Sequence, residues 1–301
     1  MKEAGENLAN GMGPRRRGQD RKEVAVFAPG RAHGRPRDMT WIPQGACGVH
    51  ARPRTGRADA IRARVLVLAV DTATAIGSVA LVEGSEVRAE LAARVSAKHG
   101  ETLLPNVARV LEEAGVRVED VGLLAVGIGP GSFTGLRVGL ATMKGLALAR
   151  GTPLVGVSSL RVLARGAGPG PRVVVALLDA HKNEVFAAAF SEDTEGALVE
   201  RVAPFHAGPA DAAARLLAGL ADNALPLVLV GDAPAALRAP LEAALVAAGR
   251  TLEPAPEGVD FPSAAALARE AEHLYARQGA DATGALEPLY VRPPDITLPA
   301  R

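Results

Sequence analysis

Asp71 closes the apolar run that begins at Val65 and is followed at once by Thr72, Ala73 and Thr74, so a carboxylate and two hydroxyls meet at the end of a strand. A carboxylate there offers oxygen atoms of the kind that hard cations take as ligands. The alternative is that Asp71 only forms the turn. A second group lies at 128–147, IGPGSFTGLRVGLATMKGLA. Gly129, Gly131 and Gly135 let backbone amides approach an anion, and Ser132 or Thr134 can cap the helix that follows, whose N-terminus favours negative charge. The segment has no Gly-Lys-Ser/Thr ending and no GxGxxG. Phosphate contact and a plain strand-to-helix turn therefore stand side by side.

The histidines do not pair. His99 and His181 are single, and His206 and His273 lie in alanine-rich surroundings, so the spacing of zinc or iron ligands is missing. Ser132 has no histidine near it in sequence, and Ser158 and Ser159 follow a strand, which argues against a nucleophilic hydrolase. Cys47 is the single cysteine and can form neither a disulfide nor a cluster, pointing to a reducing, cytoplasmic setting. Apolar stretches such as 65–70 and 173–178 fall far short of the ~20 residues of a membrane-spanning helix.

The elements that must position these groups follow from periodicity. Strands are expected over 65–73, around 77–84 and over 86–95, forming a meander. Leu103, Leu104, Val107, Val110 and Leu111 then recur at helical spacing over 99–114, with Glu112 and Glu113 on the wet side. A buried strand over 121–129 leads through the glycine loop into a helix over about 136–150, then a strand over 152–157. The second half repeats the pattern, with strands over 172–178, 184–190, 197–203 and 226–230 and helices around 209–220, 233–248 and 262–277. A meander followed by alternating helices and strands, occurring twice, implies two α/β lobes of related topology. The Gly-Pro-rich 166–171 divides them, giving 63–168 and 169–301.

Within the second helix Gly135 and Gly139 are four apart, and Gly145 and Ala149 repeat that spacing further along. That stripe lets another backbone come close, and the expected neighbour is the 99–114 helix, making a two-helix face suited to docking a matching pair. Ordinary packing against the chain's own sheet is the alternative.

Charge separates the chain into two parts. Residues 1–62 carry 13 Lys and Arg against 6 Asp and Glu, and the remainder carries 21 against 27. The first part is rich in Arg, Gly and Pro without a period and reads as a disordered basic extension. The acidic remainder is a poor electrostatic footprint for holding RNA unaided. With 48% hydrophobic but 3% aromatic residues, the cores must be layers of Ala, Val and Leu.

VLAVDTA, HGETLLP, GIGPGSFTGLRVG followed by KGLA, PLVGVSSL, LLDAHKNEVFAAAF and EPLYVR together resemble the TsaB (YeaZ) family over about 65–292. The resemblance implies two actin-like, ribonuclease H-like lobes. Asp71 then corresponds to the first phosphate loop of the actin, hexokinase and Hsp70 superfamily, Asp179 to the matching turn of the second lobe, and Gly231-Asp232 to an adenosine contact. Asp71, Thr72, Gly129, Gly131 and Ser132 become candidate contacts for ATP or ADP at a partner interface. The relative TsaD carries VNHxxGH, whose histidines bind its catalytic metal; the positions here hold Ser159 and Leu163. The implied role is a metal-free, non-catalytic scaffold that pairs with and activates TsaD, forming threonylcarbamoyladenosine at position 37 of tRNAs reading ANN codons. Expected docking residues are His99, Leu103, Leu104, Val107, Gly135, Leu136, Gly139 and Met143. TsaE, an ATPase, and TsaC, which supplies threonylcarbamoyl-adenylate, are the further partners. A homodimer through the same face is a possible competitor, and tRNA is met only through the complex. An ATP-dependent phosphotransferase of the actin-like superfamily is the alternative, and the metallopeptidase label given to this superfamily is a third reading.

Overall fold

The computed structural model describes residues 24–27, 65–95 and 99–292, and of residues 24–27 and His99 the backbone alone. The expected basic extension over 1–62, with Cys47, lies outside the described residues except for β1 (Val24–Phe27), which pairs antiparallel with β4 (Glu86–Arg94).

The meander β2 (Leu66–Asp71), β3 (Ile76–Glu83), β4 is antiparallel, and β5 (Leu123–Gly129) and β6 (Leu154–Ser158) add in parallel beside β2. The sheet order is β1-β4-β3-β2-β5-β6. The second sheet repeats this arrangement. Its meander is β7 (Val173–Asp179), β8 (Val185–Glu192) and β9 (Leu198–Ala207), with β10 (Leu227–Val230) and β11 (Leu252–Glu253) parallel beside β7. Numbered within each lobe, both sheets run 3-2-1-4-5, the actin-like, ribonuclease H-like order, so the two-lobe α/β expectation holds. Strands β5 and β7 are buried on both faces, which accounts for their nearly continuous apolar sequences.

Helices complete a layered stack. α1 (His99–Ala114) turns Leu103, Val107, Val110 and Leu111 onto the outer face of the first sheet, beside Leu140, Met143 and Ala147 of α2 (Phe133–Arg150). α2 starts at Phe133, three residues earlier than expected, because Ser132 caps it by accepting from the Gly135 amide at 3.2 Å. Gly151, left-handed at φ 67°, ends it. α4 (Pro209–Gly219) and α5 (Ala235–Ala247) cover the outer face of the second sheet.

Between the sheets lie α3 (Ser159–Gly166), which periodicity did not foretell, and α6 (Ala264–Gln278). α6 falls in the second half of the chain, yet its alanines and Leu267 pack on Val67, Ala69, Ala80 and Ala125 of the first sheet. α3 sends Val162 to the same side and Leu160 and Leu163 into the second sheet's core. The α3–α6 junction is ionic: Glu270, 1% exposed, accepts from Arg161 Nε and Arg165 Nε at 2.6 Å each. Arg161 also reaches Leu198 O, and Arg165 reaches Glu192 and Gly196 O, tying the inner helices to the β8–β9 hairpin.

Candidate functional site

The C-terminal ends of β2, β5 and β6 meet the N-termini of α2 and α3, and Asp71 lies among them, fully buried. Its Oδ1 accepts from the Ala73 amide and its Oδ2 from the Ser159 hydroxyl, both at 2.8 Å. Gly127 makes the room, since a Cβ there would come within 1.9 Å of Asp71 Oδ2. Burial pushes the carboxyl up to about 6, against the opposing pull of the Ala73 amide and the Ser159 hydroxyl. Both oxygens are engaged and none of the side chain reaches solvent, so Asp71 as placed does not face a hydrated ion.

The glycine loop closes on the turn after Asp71. The Ser132 amide donates to Ala73 O at 2.7 Å, and the Thr72 hydroxyl donates to Gly135 O at 2.8 Å. A Cβ on Gly131 would meet Ala73 O at 2.2 Å, one on Gly135 would meet Thr72 O at 2.1 Å, and one on Gly139 would meet Thr72 Oγ1 at 2.4 Å. The glycine stripe therefore seats the 72–73 turn and not α1, which corrects the expected reason for the Gly135/Gly139 spacing. These contacts engage the Thr72 hydroxyl and the Ser132 amide within the fold, while Ser132 and Thr134 themselves are exposed.

The expected docking residues are corrected by burial. Leu103, Val107, Gly135, Leu136, Gly139 and Met143 all point inward, where a partner cannot touch them. Leu104 is 55% exposed, and the His99 side chain lies outside the described residues. The outward stripe of α2 is Arg137, Ala141, Gly145 and Leu148, and beside it α1 presents Leu104 and Ala108. A Cβ added to Gly145 would meet no atom within 4 Å, and Leu148 is 75% exposed. Small-residue spacing points to Gly145 within this stripe but not to Arg137, Ala141 and Leu148, which share no apolar period with it.

In the second lobe, the turn between β7 and β8 places His181, Lys182 and Asn183 at φ 58°, 54° and 61°, three consecutive left-handed residues without a glycine. Asp179 Oδ1 accepts from the His181 amide, and Asp232 Oδ1 accepts from the Asp179 amide at 3.1 Å. Burial raises the Asp232 carboxyl above its ordinary range, with the Asp179 charge adding to the rise. Glu184 is held below the usual carboxylate range by the Arg292 guanidinium first and His206 second. Among the described residues no group of three or more His, Cys, Asp and Glu is placed to hold a metal ion, and no helix is long and apolar enough to cross a membrane.

A strap over 281–292 joins the two regions. Leu289 donates its amide to Ile128 O, Leu286 packs beside Gly156 and Ile128, and Arg292 donates to Ala180 O beneath the second-lobe turn.

The family model described as TsaD, tRNA N6-adenosine threonylcarbamoyltransferase, matches residues 90–251. The tRNA threonylcarbamoyladenosine biosynthesis protein TsaB of Escherichia coli is 42% identical over 134 residues, which are 43% of this chain and 57% of that protein. An uncharacterized protein of Mycobacterium tuberculosis is 37% identical over 167 residues, 54% of this chain and 77% of the relative. Among solved structures, a Pseudomonas aeruginosa protein described as similar to peptidase YeaZ superposes with a TM-score of 0.60 at 26% identity. It covers 76% of this chain and all of that one.

Proposed function

Because the chain belongs to the TsaB/YeaZ group of the TsaD family, we propose that it serves tRNA threonylcarbamoyladenosine formation as a non-catalytic docking subunit for a TsaD-type partner. The observation that carries this reading is what fills the two places where the resemblance would put a metal-binding histidine pair. Ser159 gives its hydroxyl to the buried Asp71, and Leu163, 1% exposed, is part of the hydrophobic core against the second sheet. A leucine offers no lone pair to a metal, and a neutral serine hydroxyl is a weak ligand.

Docking is assigned to the outer face of α1 and α2. An exposed mid-helix glycine lowers helix stability by about 1 kcal/mol relative to alanine, and Gly145 has open space above it. A partner helix approaching closely gives that glycine a use, and the flanking Leu104 and Leu148 supply apolar area. In this reading the partner modifies position 37 of tRNAs reading ANN codons in the cytoplasm, TsaE joins the pair, and TsaC supplies the activated threonylcarbamoyl group. A homodimer through the same face competes with the productive pairing. The phosphotransferase alternative loses support in the burial of Asp71, whose two carboxylate oxygens are both engaged within the fold.

The test is reconstitution. The chain is mixed with a TsaD-type subunit from the same organism, and complex formation is followed by light scattering. A heterodimer that Gly145→Trp abolishes supports the reading, and wild-type pairing by that variant refutes the assigned face.

A further inference from the structure

Phe133 and Tyr290 are exposed aromatic rings in a chain with 3% aromatic residues, and they lie against each other with centroids 5.5 Å apart. One turn along α2, the Arg137 guanidinium sits 3.7 Å from the centroid of the Phe133 ring and donates from Nε to Tyr290 Oη at 3.0 Å. Among the described residues no carboxylate pairs with Arg137. Its terminal nitrogens stay available while its plane and its Nε are held, a guanidinium fork oriented in advance for a two-oxygen acceptor. Tyr290 is itself held on both sides, by the Leu289 amide on Ile128 O and by Arg292 on Ala180 O and Glu184.

We infer that Arg137 anchors the docking face by taking a carboxylate of the partner protein, and that Tyr290, delivered by the C-terminal strap, is the positioning residue that aims it. The inference rests on the docking reading above. A protein carboxylate is the acceptor favoured over nucleic-acid phosphate by charge. The chain beyond residue 62 carries 21 Lys and Arg against 27 Asp and Glu. The nearest amine along the same helix, Lys144, is turned to Gly284 O at 3.3 Å. A lone fork flanked by two rings matches the composition of protein-interface hot spots, whereas a phosphate chain requires a row of cations.

Calorimetry of the full chain with the TsaD-type subunit tests this, using Arg137→Ala, Arg137→Lys, Tyr290→Phe and the face-blocking Gly145→Trp. Arg137→Ala is expected to weaken pairing about tenfold or more and Arg137→Lys severalfold, with melting temperatures unchanged because the side chain is exposed. Tyr290→Phe is expected to weaken pairing in the wild-type background and to have no effect beside Arg137→Ala; an undiminished effect there would overturn the positioning role. Wild-type affinity in Arg137→Ala, with pairing abolished by Gly145→Trp, overturns the anchor and leaves the docking reading standing. Wild-type affinity in both variants overturns the docking reading itself. Should the isolated chain bind a tRNA transcript and lose it in Arg137→Ala, the acceptor is a phosphate and the proposal is wrong.

Discussion

Gly139 faces Thr72 so closely that a single added methyl would stand 2.4 Å from the threonine hydroxyl oxygen. The contact joins the turn after Asp71 to the second turn of α2. It explains why a glycine occupies the buried side of a helix, where alanine is the better helix former.

Gly139→Ala is therefore expected to destabilise the fold by about 1–3 kcal/mol through overpacking. Thr72→Ala removes the clashing atom together with its bond to Gly135 O, so the double variant should lose less than the sum of the two single losses. Urea denaturation of the four proteins measures this coupling, and strict additivity would show that the two residues do not meet.

Asp71 makes a pH-dependent prediction. Its folded carboxyl sits at about 6 against an ordinary value of 3.8, so the folded state holds its proton more tightly than the unfolded state. The contribution of the protonated group is fully present below about pH 4 and is lost as pH rises through about 6. Asp71→Asn keeps an acceptor for the Ala73 amide and can reverse the bond to Ser159. It should be more stable than wild type at pH 7.5, by up to about 2–3 kcal/mol from a two-unit shift, and near parity at pH 4. Chemical denaturation at the two pH values checks the sign.

How much of this arrangement was legible beforehand depended on how local its cause was. The bounds of α1 followed from Leu103, Val107, Val110 and Leu111 on one side and Glu112 and Glu113 on the other, all within one helix. The repeated meander was legible from turn residues and alternation. α3 was not, because eight residues after a strand look like a loop; its one signal was Arg161 and Arg165, four apart and both bound to Glu270. The burial of Asp71 was hidden because it requires Gly127 and Ser159, contributed by two other elements. Small-residue spacing announced a close approach at Gly135 and Gly139 but not its partner, which proved to be Thr72.

The ion cluster between the sheets is expected to be sensitive to its centre. Glu270→Gln leaves Arg161 without a counter-charge, and Arg165 with Glu192 alone, in a nearly closed site. Breaking such a cluster from one side is expected to destabilise by about 3 kcal/mol, somewhat less here because both arginines keep some solvent. Thermal melts would record it, and an unchanged melting temperature would show that water already screens the cluster.

Filling the open point on the docking face is expected to have the opposite effect on stability. Gly145→Ala adds a methyl into open space on a helix and should stabilise the isolated chain by about 1 kcal/mol, while weakening pairing if a partner helix closes on that point. Melting and binding measured on the same protein separate the two effects. Stabilisation with undiminished pairing would place the contact elsewhere.

The most direct measurement is tRNA threonylcarbamoylation in vitro with TsaC, TsaE and a TsaD-type subunit, run with this chain, without it, and with this chain in place of TsaD. Full modification only when both relatives are present is the expected result. Modification by this chain in the absence of the TsaD-type subunit would contradict the account.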